Sequence, residues 1–365
     1  YAEHAESFLA PDEVETDARH SFVSYRPLGL VLAVMPWNYP LWQVFRCAAP
    51  ALMAGNGILL KHAPNVFGCS LAIEKLLREA GMPEHLFRSL ILDLPLTTAL
   101  IHDPQIAAIS VTASVRAGRA IAAEAGRALK KCVLELGGSD PFIVLHDADI
   151  DRAVELAIAS RFQNSAQSCI AAKRFIIVKE VYEEFAKKFV EAARSLKVGD
   201  PELEDVSVGP MARLDLRDAL HDQVERSVEA GAHLILGGEI PEGPGAFYPV
   251  TVLDGVRPEM PAWREEIFGP VAVLIRAESE QEAIEFANDS EFGLSASVWT
   301  RDLSRGERIA NEELRTGAAF VNEMSKSDPR MPFGGVRDSG YGRELSIHGI
   351  REFVNVHSVW VNDTR

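Results

Sequence analysis

Cysteine is scarce in this chain, and the scarcity narrows the chemistry open to it. The 365 residues hold four cysteines, with no CxxC pair and no spacing typical of a zinc site or a disulfide framework. The ten histidines are scattered, without an HxxxH pair, so no metal site is predicted. Sparse, unpaired thiols are typical of a reducing compartment, and we expect the cytoplasm.

Positive charge is also in short supply. Lys and Arg total 37 against 53 Asp and Glu, a formal net charge of -16. This balance argues against nucleic acid and against anionic membranes as partners, because both need a basic surface. No apolar run approaches the roughly 20 residues of a membrane-spanning helix. Hydrophobic residues at 47% and charged residues at 25% are typical of a globular protein.

Apolar runs alternate with helical patterns along the chain, which predicts an α/β fold. Strands are expected at 30–35, 58–61, 86–92, 106–111 and 131–136, with helices at 71–80, 96–102 and 114–126 between them. This order predicts a parallel, doubly wound sheet of the Rossmann-like kind. A second alternating block begins with a helix at 149–162, which Asp149 is placed to cap. We expect a domain boundary near Gly137 and Gly138.

The chain opens at Tyr1 without a methionine, and residues 1–10 read as the end of an amphipathic helix. They lack the basic start and apolar stretch of a signal peptide. We expect that an N-terminal piece of the protein is missing from this sequence.

Cys169 is a candidate nucleophile. It lies in a short polar segment, Gln167-Ser168-Cys169, between a predicted helix and a predicted strand. A thiolate attacks carbonyl groups readily, and a loop leaves its sulfur reachable. The alternative is an inert thiol, which fits the apolar surroundings of Cys47, Cys69 and Cys132 better.

Glu135 is a candidate general base. A carboxylate within the apolar segment Val133–Leu136 is costly unless it is paired or protonated. Such a group can be tuned toward neutral pH and can activate water. The alternative is a glutamate at a strand end that is bonded to nearby backbone.

Three more positions follow predicted strands, where open α/β sheets bind ligands. Asn38, in Pro36–Pro40, could donate to an oxyanion or could simply be a turn residue. The segment 112–118 joins a strand to a helix start, which favours phosphate, although it contains no GxGxxG. Lys61 could hold a ribose or phosphate, or could be a solvated lysine.

Together these segments resemble the aldehyde dehydrogenase superfamily over essentially the whole chain. The resemblance rests on Pro36–Pro40, Glu135–Gly138, Gln167–Cys169, Glu265–Pro270, and Pro332–Gly335 with Ser339–Glu344. Within that family, Lys61–Ala63 and Leu136–Phe142 are most similar to the bacterial succinate-semialdehyde dehydrogenases.

The resemblance implies a reaction and a role for each matched residue. Cys169 would attack the aldehyde, Asn38 and the N–H of Cys169 would hold the oxyanion, hydride would pass to NAD or NADP, and Glu135 would activate water. The positions implied to contact the cofactor are Trp37, Lys61, Pro64, Ala113, Ser114, Leu136, Glu266 and Phe268. Pro64 stands where relatives carry Ser or Glu, so we expect use of both cofactors with a lean to NAD.

The resemblance also implies a site for the substrate carboxylate. Arg46 follows Asn38 by eight residues, four after Trp42, and positions four apart share a helix face. A guanidinium matches a carboxylate with two parallel hydrogen bonds. Ser327 would add a hydroxyl from the other side, so these three residues are predicted to bind succinate semialdehyde.

The domain plan implied by the family has three parts. Residues 1–137 would form the NAD(P)-binding domain, residues 138–335 the catalytic domain, and segments 20–28 and 354–361 a β flap that builds a homodimer or homotetramer. The chain departs from the family at Ala113, Ala166 and Glu323, where glycine is usual. Alanine at 166 would be strained if that position needs a positive φ.

Three alternatives stay open. The enzyme could oxidise another small aldehyde, or could pass its thioester to CoA, although Glu135 argues for hydrolysis. From a different class, it could be a dinucleotide-binding homologue that has lost catalysis.

Overall fold

The computed structural model describes residues 1–364, which form two compact units. Unit 1 holds residues 1–136, 327–334 and 340–364, and unit 2 holds residues 137–326 and 335–339. The units change over at Gly137. Segment 327–334, expected in the catalytic domain, belongs to unit 1, where Phe333 and Glu344 exchange two backbone hydrogen bonds of 2.7 Å.

Elements are numbered along the chain. The strands of unit 1 are β1 Asp12–Glu13, β2 His20–Pro27, β3 Leu30–Met35, β4 Gly57–His62, β5 Phe87–Leu90, β6 Ile106–Thr112, β7 Lys131–Glu135, β15 Gly340–Tyr341 and β16 Val354–Val361. Those of unit 2 are β8 Asp140–Val144, β9 Ala172–Val178, β10 His233–Leu236, β11 Thr251–Asp254, β12 Val271–Ala277, β13 Ser295–Trp299 and β14 Ala318–Val321.

The helices follow the same numbering. Unit 1 contains α1 Ala5–Phe8, α2 Trp42–Met53, α3 Phe67–Glu79, α4 Leu94–His102, α5 Val115–Arg127 and α12 Ser346–Arg351. Unit 2 contains α6 Ile150–Phe162, α7 Lys179–Ser195, α8 Leu214–Glu229, α9 Pro261–Arg264, α10 Glu280–Asn288 and α11 Leu303–Arg308. The amphipathic stretch expected over residues 1–10 is helical only at α1.

The main sheet of unit 1 has the strand order β15-β7-β6-β3-β4-β5, and every pair in it is parallel except β15 with β7. Alternate residues of β3 point to opposite faces: Val31 and Ala33 join a core covered by α2, whereas Leu32 joins one covered by α4 and α5. A strand covered on both faces is continuously apolar, which explains why the sequence predicts β3, β4 and β6 correctly.

A second sheet of unit 1 joins distant parts of the chain. Strand β2 pairs antiparallel with both β1 and β16, and the register sets Pro27 opposite Val354. This three-stranded sheet, which we call the flap, is built from the two β-rich segments noted in the sequence.

Unit 2 carries a seven-stranded sheet in the order β10-β11-β12-β9-β8-β13-β14, parallel except at β10. Phe142 and Val144 face helices α6 and α7, whereas Ile143 faces α8 and α10. Helix α6 begins as predicted, because the Asp149 side chain accepts from the N–H of Arg152 at 3.2 Å.

Strands β8, β11, β12 and β14 are not predicted from the sequence. The first of them begins with Asp140 and Pro141, two residue types that are depleted in strands. All five residues of β8 are nevertheless buried, and the strand lies between β9 and β13. Burial between two neighbours therefore outweighs the local preference.

Candidate active site

The strand order of unit 1 reverses at β3, which lies between β6 and β4. In open parallel sheets this is where a crevice forms beyond the carboxyl ends of the strands, and where nucleotides bind. Trp37 and Asn38 follow β3, Lys61 is the penultimate residue of β4, and Ser114 follows β6. The structure thus brings Trp37, Lys61 and Ser114, three of the residues expected at the cofactor, to one edge of one sheet.

Ser114 caps the N-terminus of α5. Its hydroxyl accepts from the N–H of Ala117 at 3.4 Å, and the helix end offers N–H groups and a positive dipole to a phosphate. Gly118 lies against Leu136 so closely that a Cβ there would sit 2.3 Å from the leucine side chain. The helix can approach β7 only because residue 118 is glycine.

Lys61 lies near the end of β4, and Pro64 follows three residues later, outside the strand. Lys61 is largely buried, and burial lowers the pKa of its ammonium group. Pro64 opens a short 3-10 helix, Pro64–Val66. Its ring has no hydrogen-bond donor, so this position can offer a nucleotide only apolar contact.

Asn38 is oriented by a residue that the sequence did not single out. Gln43, buried in α2, donates from Nε2 to Asn38 Oδ1 at 3.1 Å. This bond engages the amide oxygen of Asn38, which fixes the orientation of the amide and so which of its two atoms is the donor. His62 holds the same loop through a 2.9 Å bond to the carbonyl of Pro40.

Glu135 ends β7 and is 2% exposed. Neither of its carboxylate oxygens has a hydrogen-bond partner among residues 1–364. Burial raises the pKa of Glu135 well above its ordinary value, Glu344 raises it further, and Arg46 and Arg343 oppose the rise. A Cβ at Gly334 would sit 2.7 Å from Glu135 Oε1, so glycine is needed beside the carboxylate.

Arg46 has a different partner from the one we expected. Its side chain is 3% exposed and forms an ion pair with the buried carboxylate of Glu344. The guanidinium also lies 4.5 Å from the ring centre of Phe333 and donates to Thr112 Oγ1 at 3.4 Å. The role of Arg46 as the anchor of a substrate carboxylate stays a prediction, and Glu344 is a competing partner for its charge.

The other two residues expected at the substrate are differently placed. Trp42 on α2 is 38% exposed, whereas Arg46 on the same helix is buried. The two side chains were expected to line one wall of the substrate site together, and they differ in their access to solvent. Ser327 also lies in unit 1. Its hydroxyl is buried without a hydrogen-bond partner among residues 1–364.

Cys169 lies in unit 2, after a turn of unusual backbone. Asn164, Ser165 and Ala166 have φ angles of 51°, 51° and 59°, in the left-handed region. Alanine at 166 is thus held where the chiral Cβ is disfavoured, at a cost of roughly 1–2 kcal/mol. The backbone strain expected for alanine at position 166 is confirmed.

Two glycines make close approach possible in the same unit. A Cβ at Gly138 would lie 2.7 Å from the carbonyl oxygen of Cys169, and one at Gly137 would lie 2.4 Å from Glu266 Oε2. Glu266 Oε1 accepts from the N–H of Gly138 at 3.0 Å. Phe268, two residues on, is half-buried.

Two of the other three thiols are more deeply buried than Cys169. Cys47 and Cys132 belong to the two cores of unit 1, and burial raises their pKa to about 12 and about 11. Cys69 and Cys169 are partly exposed. Exposure thus separates Cys169 from Cys47 and Cys132 but not from Cys69.

The other departures from the family lie in ordinary surroundings. Ala113 donates its N–H to the carbonyl of Glu135 at 3.0 Å. Glu323 is ion-paired with Lys326 at 2.9 Å.

Three residues that contact the candidate site residues were not singled out from the sequence: Gln43, Glu344 and Lys173. Lys173 carried a usable signal, because a lysine within the apolar strand Ala172–Val178 must find buried partners. Glu344 lies in a segment that carried the resemblance, but nothing in its neighbourhood points to Arg46 as its partner.

Within residues 1–364, no group of three or more His, Cys, Asp or Glu side chains is arranged to hold a metal ion. The same part of the chain contains no helix with the length and apolar content needed to cross a bilayer.

Comparison with known proteins gives a consistent result. The Aldehyde dehydrogenase family matches residues 1–359. Succinate semialdehyde dehydrogenase [NAD(P)+] of Escherichia coli K12 is 53% identical over 360 residues, which are 99% of this chain and 78% of that protein. A probable succinate-semialdehyde dehydrogenase [NADP(+)] of Synechocystis is 50% identical over 361 residues, 99% of this chain and 79% of that one.

A solved structure agrees in fold. Succinic semialdehyde dehydrogenase from Streptococcus pyogenes, in complex with NADP+, superposes with a TM-score of 0.97 at 36% identity, covering 100% of this chain and 80% of that one. With the strand-end crevice, the buried glutamate and the loop cysteine in place, the chain belongs to the aldehyde dehydrogenase family of NAD(P)-dependent oxidoreductases.

Proposed function

We propose that this chain oxidises succinate semialdehyde to succinate through a cysteine-bound thioester. The observation that carries the hydrolytic part of the proposal is Glu135, a buried carboxylate without a hydrogen-bond partner among residues 1–364. The substrate rests on relatives 48–53% identical that are named for succinate semialdehyde.

In the first step the thiolate of Cys169 attacks the aldehyde carbon and forms a thiohemiacetal. Nδ2 of Asn38 and the N–H of Cys169 donate to the oxyanion that develops, which preorganised donors stabilise strongly. Gln43 holds the amide of Asn38 in the donating orientation through the 3.1 Å bond.

The cofactor supplies one function when bound, which is to accept the hydride as the thioester forms. The N-terminus of α5 with Ser114 suits its phosphates, and Lys61 and Glu266 suit its two riboses. Trp37, Leu136 and Phe268 would add apolar contacts.

In the last step Glu135 removes a proton from the water that attacks the thioester carbon, and the carbon–sulfur bond breaks to release succinate and the Cys169 thiolate. Its raised pKa makes it a stronger base than an exposed glutamate, provided it is ionised, and Arg46 opposes its protonation. We propose that Arg46 and Glu344 position and tune this base. A base suited to water favours hydrolysis over transfer to CoA.

We infer that both NAD+ and NADP+ are accepted. Relatives are named for NADP+ or for NAD(P)+, which supports the use of NADP+. The lean to NAD+ rests on Pro64 alone, because its ring cannot donate to a 2′-phosphate. A kcat/KM for NADP+ more than tenfold above that for NAD+ would show that the proposed preference for NAD+ is wrong.

The flap supports a homodimer or homotetramer. Val356 and Trp360 in β16 are 60% and 59% exposed, and exposed apolar strands are typical of interfaces. We place the protein in the cytoplasm, where a reducing medium keeps the Cys169 thiol available.

The proposal is tested by steady-state rates with an aldehyde panel, both cofactors, and CoA present or absent. We expect kcat/KM to be highest for succinate semialdehyde, above that for butanal, an aldehyde of the same chain length without the carboxylate. The product should be succinate in the presence of CoA as in its absence, and Cys169→Ala should abolish turnover. Faster oxidation of another aldehyde would overturn the substrate, and a CoA ester as product would overturn the hydrolytic step.

A further inference from the structure

Lys173 is buried beneath the turn that carries Cys169. It is the second residue of β9 and is fully inaccessible to solvent. A buried ammonium group is costly unless its hydrogen-bonding needs are met. The partners that meet them therefore show what the charge does.

All three partners belong to that turn. Nζ of Lys173 donates to the carbonyl oxygens of Ser168 at 3.0 Å, Cys169 at 2.7 Å and Ala171 at 3.1 Å. Three accepting carbonyls use all three N–H bonds of an ammonium group, whereas a neutral amine has only two. The arrangement thus favours the charged form of the lysine, although burial lowers its pKa.

The acidic groups near Lys173 compensate its charge only in part. Glu266 Oε1 lies 4.0 Å from Nζ and is itself engaged by the N–H of Gly138. Asp140 also faces the lysine, but burial raises the pKa of that carboxyl to about 7. Arg161 adds a second buried positive charge. Two buried cations thus stand near the turn against Glu266 and a carboxyl whose protonation burial favours.

We propose that Lys173 is a positioning residue that holds the Cys169 turn in place and favours the thiolate form of Cys169. The turn needs such a clamp, because three consecutive residues before it are left-handed and one of them is alanine. A cation next to a cysteine stabilises the nucleophilic thiolate. Glu266, which is expected at the nicotinamide ribose, also lies near the Lys173 ammonium group. Lys173 therefore contacts both the turn of the nucleophile and a residue expected at the cofactor.

The role rests on Cys169 being the nucleophile, but its test needs neither aldehyde nor cofactor. The pH dependence of Cys169 alkylation by iodoacetamide, followed on the Cys169 peptide by mass spectrometry, reports the pKa of that thiol. In the wild type we expect a value below the roughly 8.5 of a free thiol. A wild-type value at or above that figure overturns the proposal, whatever the variants do.

Lys173→Met removes both charge and donors, and Lys173→Gln removes the charge but keeps N–H donors. Both should raise the pKa of the Cys169 thiol and slow alkylation at pH 7 by about tenfold or more, since a nearby charge shifts a pKa by one to three. Lys173→Arg should restore most of the rate. Lys179→Met, a change to an exposed lysine paired with Glu278, is the control and should alkylate like the wild type.

A purely structural lysine would give a different result. Lys173→Met and Lys173→Gln would then lower the unfolding temperature and leave the pH midpoint of alkylation unchanged, which overturns the proposal. If the methionine variant does not fold, the glutamine variant alone decides between these outcomes. If the wild-type protein shows the expected pH dependence of Cys169 alkylation but does not oxidise the aldehyde, the proposed function is wrong and the role of Lys173 is not.

Discussion

Replacement of Arg46 by methionine tests how the general base is tuned. Arg46 is the partner of the buried Glu344, and it also opposes the protonation of Glu135. Methionine has a similar length and no charge. The variant therefore removes a cation that opposes the protonation of both buried carboxyl groups.

The size and sign of the effect follow from electrostatics. An opposite charge within a few ångströms lowers a carboxyl pKa by about 1–3, so its removal raises the pKa of Glu135 by a similar amount. Glu135 acts as a base only when it is ionised. The acid limb of the kcat profile should therefore move to higher pH, and kcat near pH 7 should fall about tenfold or more.

A matched control separates tuning from folding. Removing one partner of a buried ion pair costs about 3–5 kcal/mol, whereas removing both partners is often close to neutral. The double variant Arg46→Met with Glu344→Gln should therefore regain much of the stability lost by the single variant. It should also have the lower pH midpoint of the two, because the charge of Glu344 no longer acts on Glu135.

The assay compares succinate semialdehyde with butanal from pH 6 to 9, with both the burst and the steady rate recorded. If Arg46 acts through Glu135 and Glu344, kcat falls equally for both aldehydes and the burst of reduced cofactor persists. A rise in KM of more than tenfold for succinate semialdehyde, with butanal unaffected, would refute this reasoning. It would return Arg46 to the role of carboxylate anchor predicted from the sequence.

Three further changes address single contacts. Glu135→Gln should keep a burst near one equivalent and slow the steady rate by about 10²–10⁴-fold; loss of the burst would mean that Glu135 is needed before the thioester forms. Ala166→Gly relieves a left-handed alanine and should raise the free energy of unfolding by at most about 1 kcal/mol, since glycine also loses more entropy on folding; a loss beyond 1 kcal/mol in urea titrations would contradict the strain. Gln43→Met removes the donor that orients Asn38 and should lower kcat/KM by about tenfold, less than the 10²–10³ of losing an oxyanion donor outright. An unchanged kcat/KM would show that Asn38 is held without Gln43.

The fold class could be predicted from the sequence because buried parallel strands appear in it as continuous apolar runs. Strands β3, β4 and β6 are covered on both faces, so their apolar runs are continuous. Strand β8 shows the limit of such reading, because its residues Asp140 and Pro141 do not favour a strand by themselves. Its neighbours β9 and β13, which lie far from it in sequence, make it one.

The candidate nucleophile and base were also identifiable from short segments. Cys169 stands out as a thiol in a polar loop, and Glu135 as a carboxylate in an apolar strand. Each signal is local, because it depends on a residue and its immediate neighbours. The positive φ at Ala166 was anticipated from the resemblance instead, because glycine is usual in the family at that position.

What the sequence could not determine is which charges compensate one another. A guanidinium eight residues after Asn38 is chemically suited to a substrate carboxylate, and the spacing does not distinguish that partner from Glu344. Only the tertiary structure sets Arg46 against Glu344, and Lys173 beneath the carbonyls of the Cys169 turn. Electrostatic partners are chosen by distance and burial in three dimensions, whereas periodicity along the chain reports only which face of an element is buried.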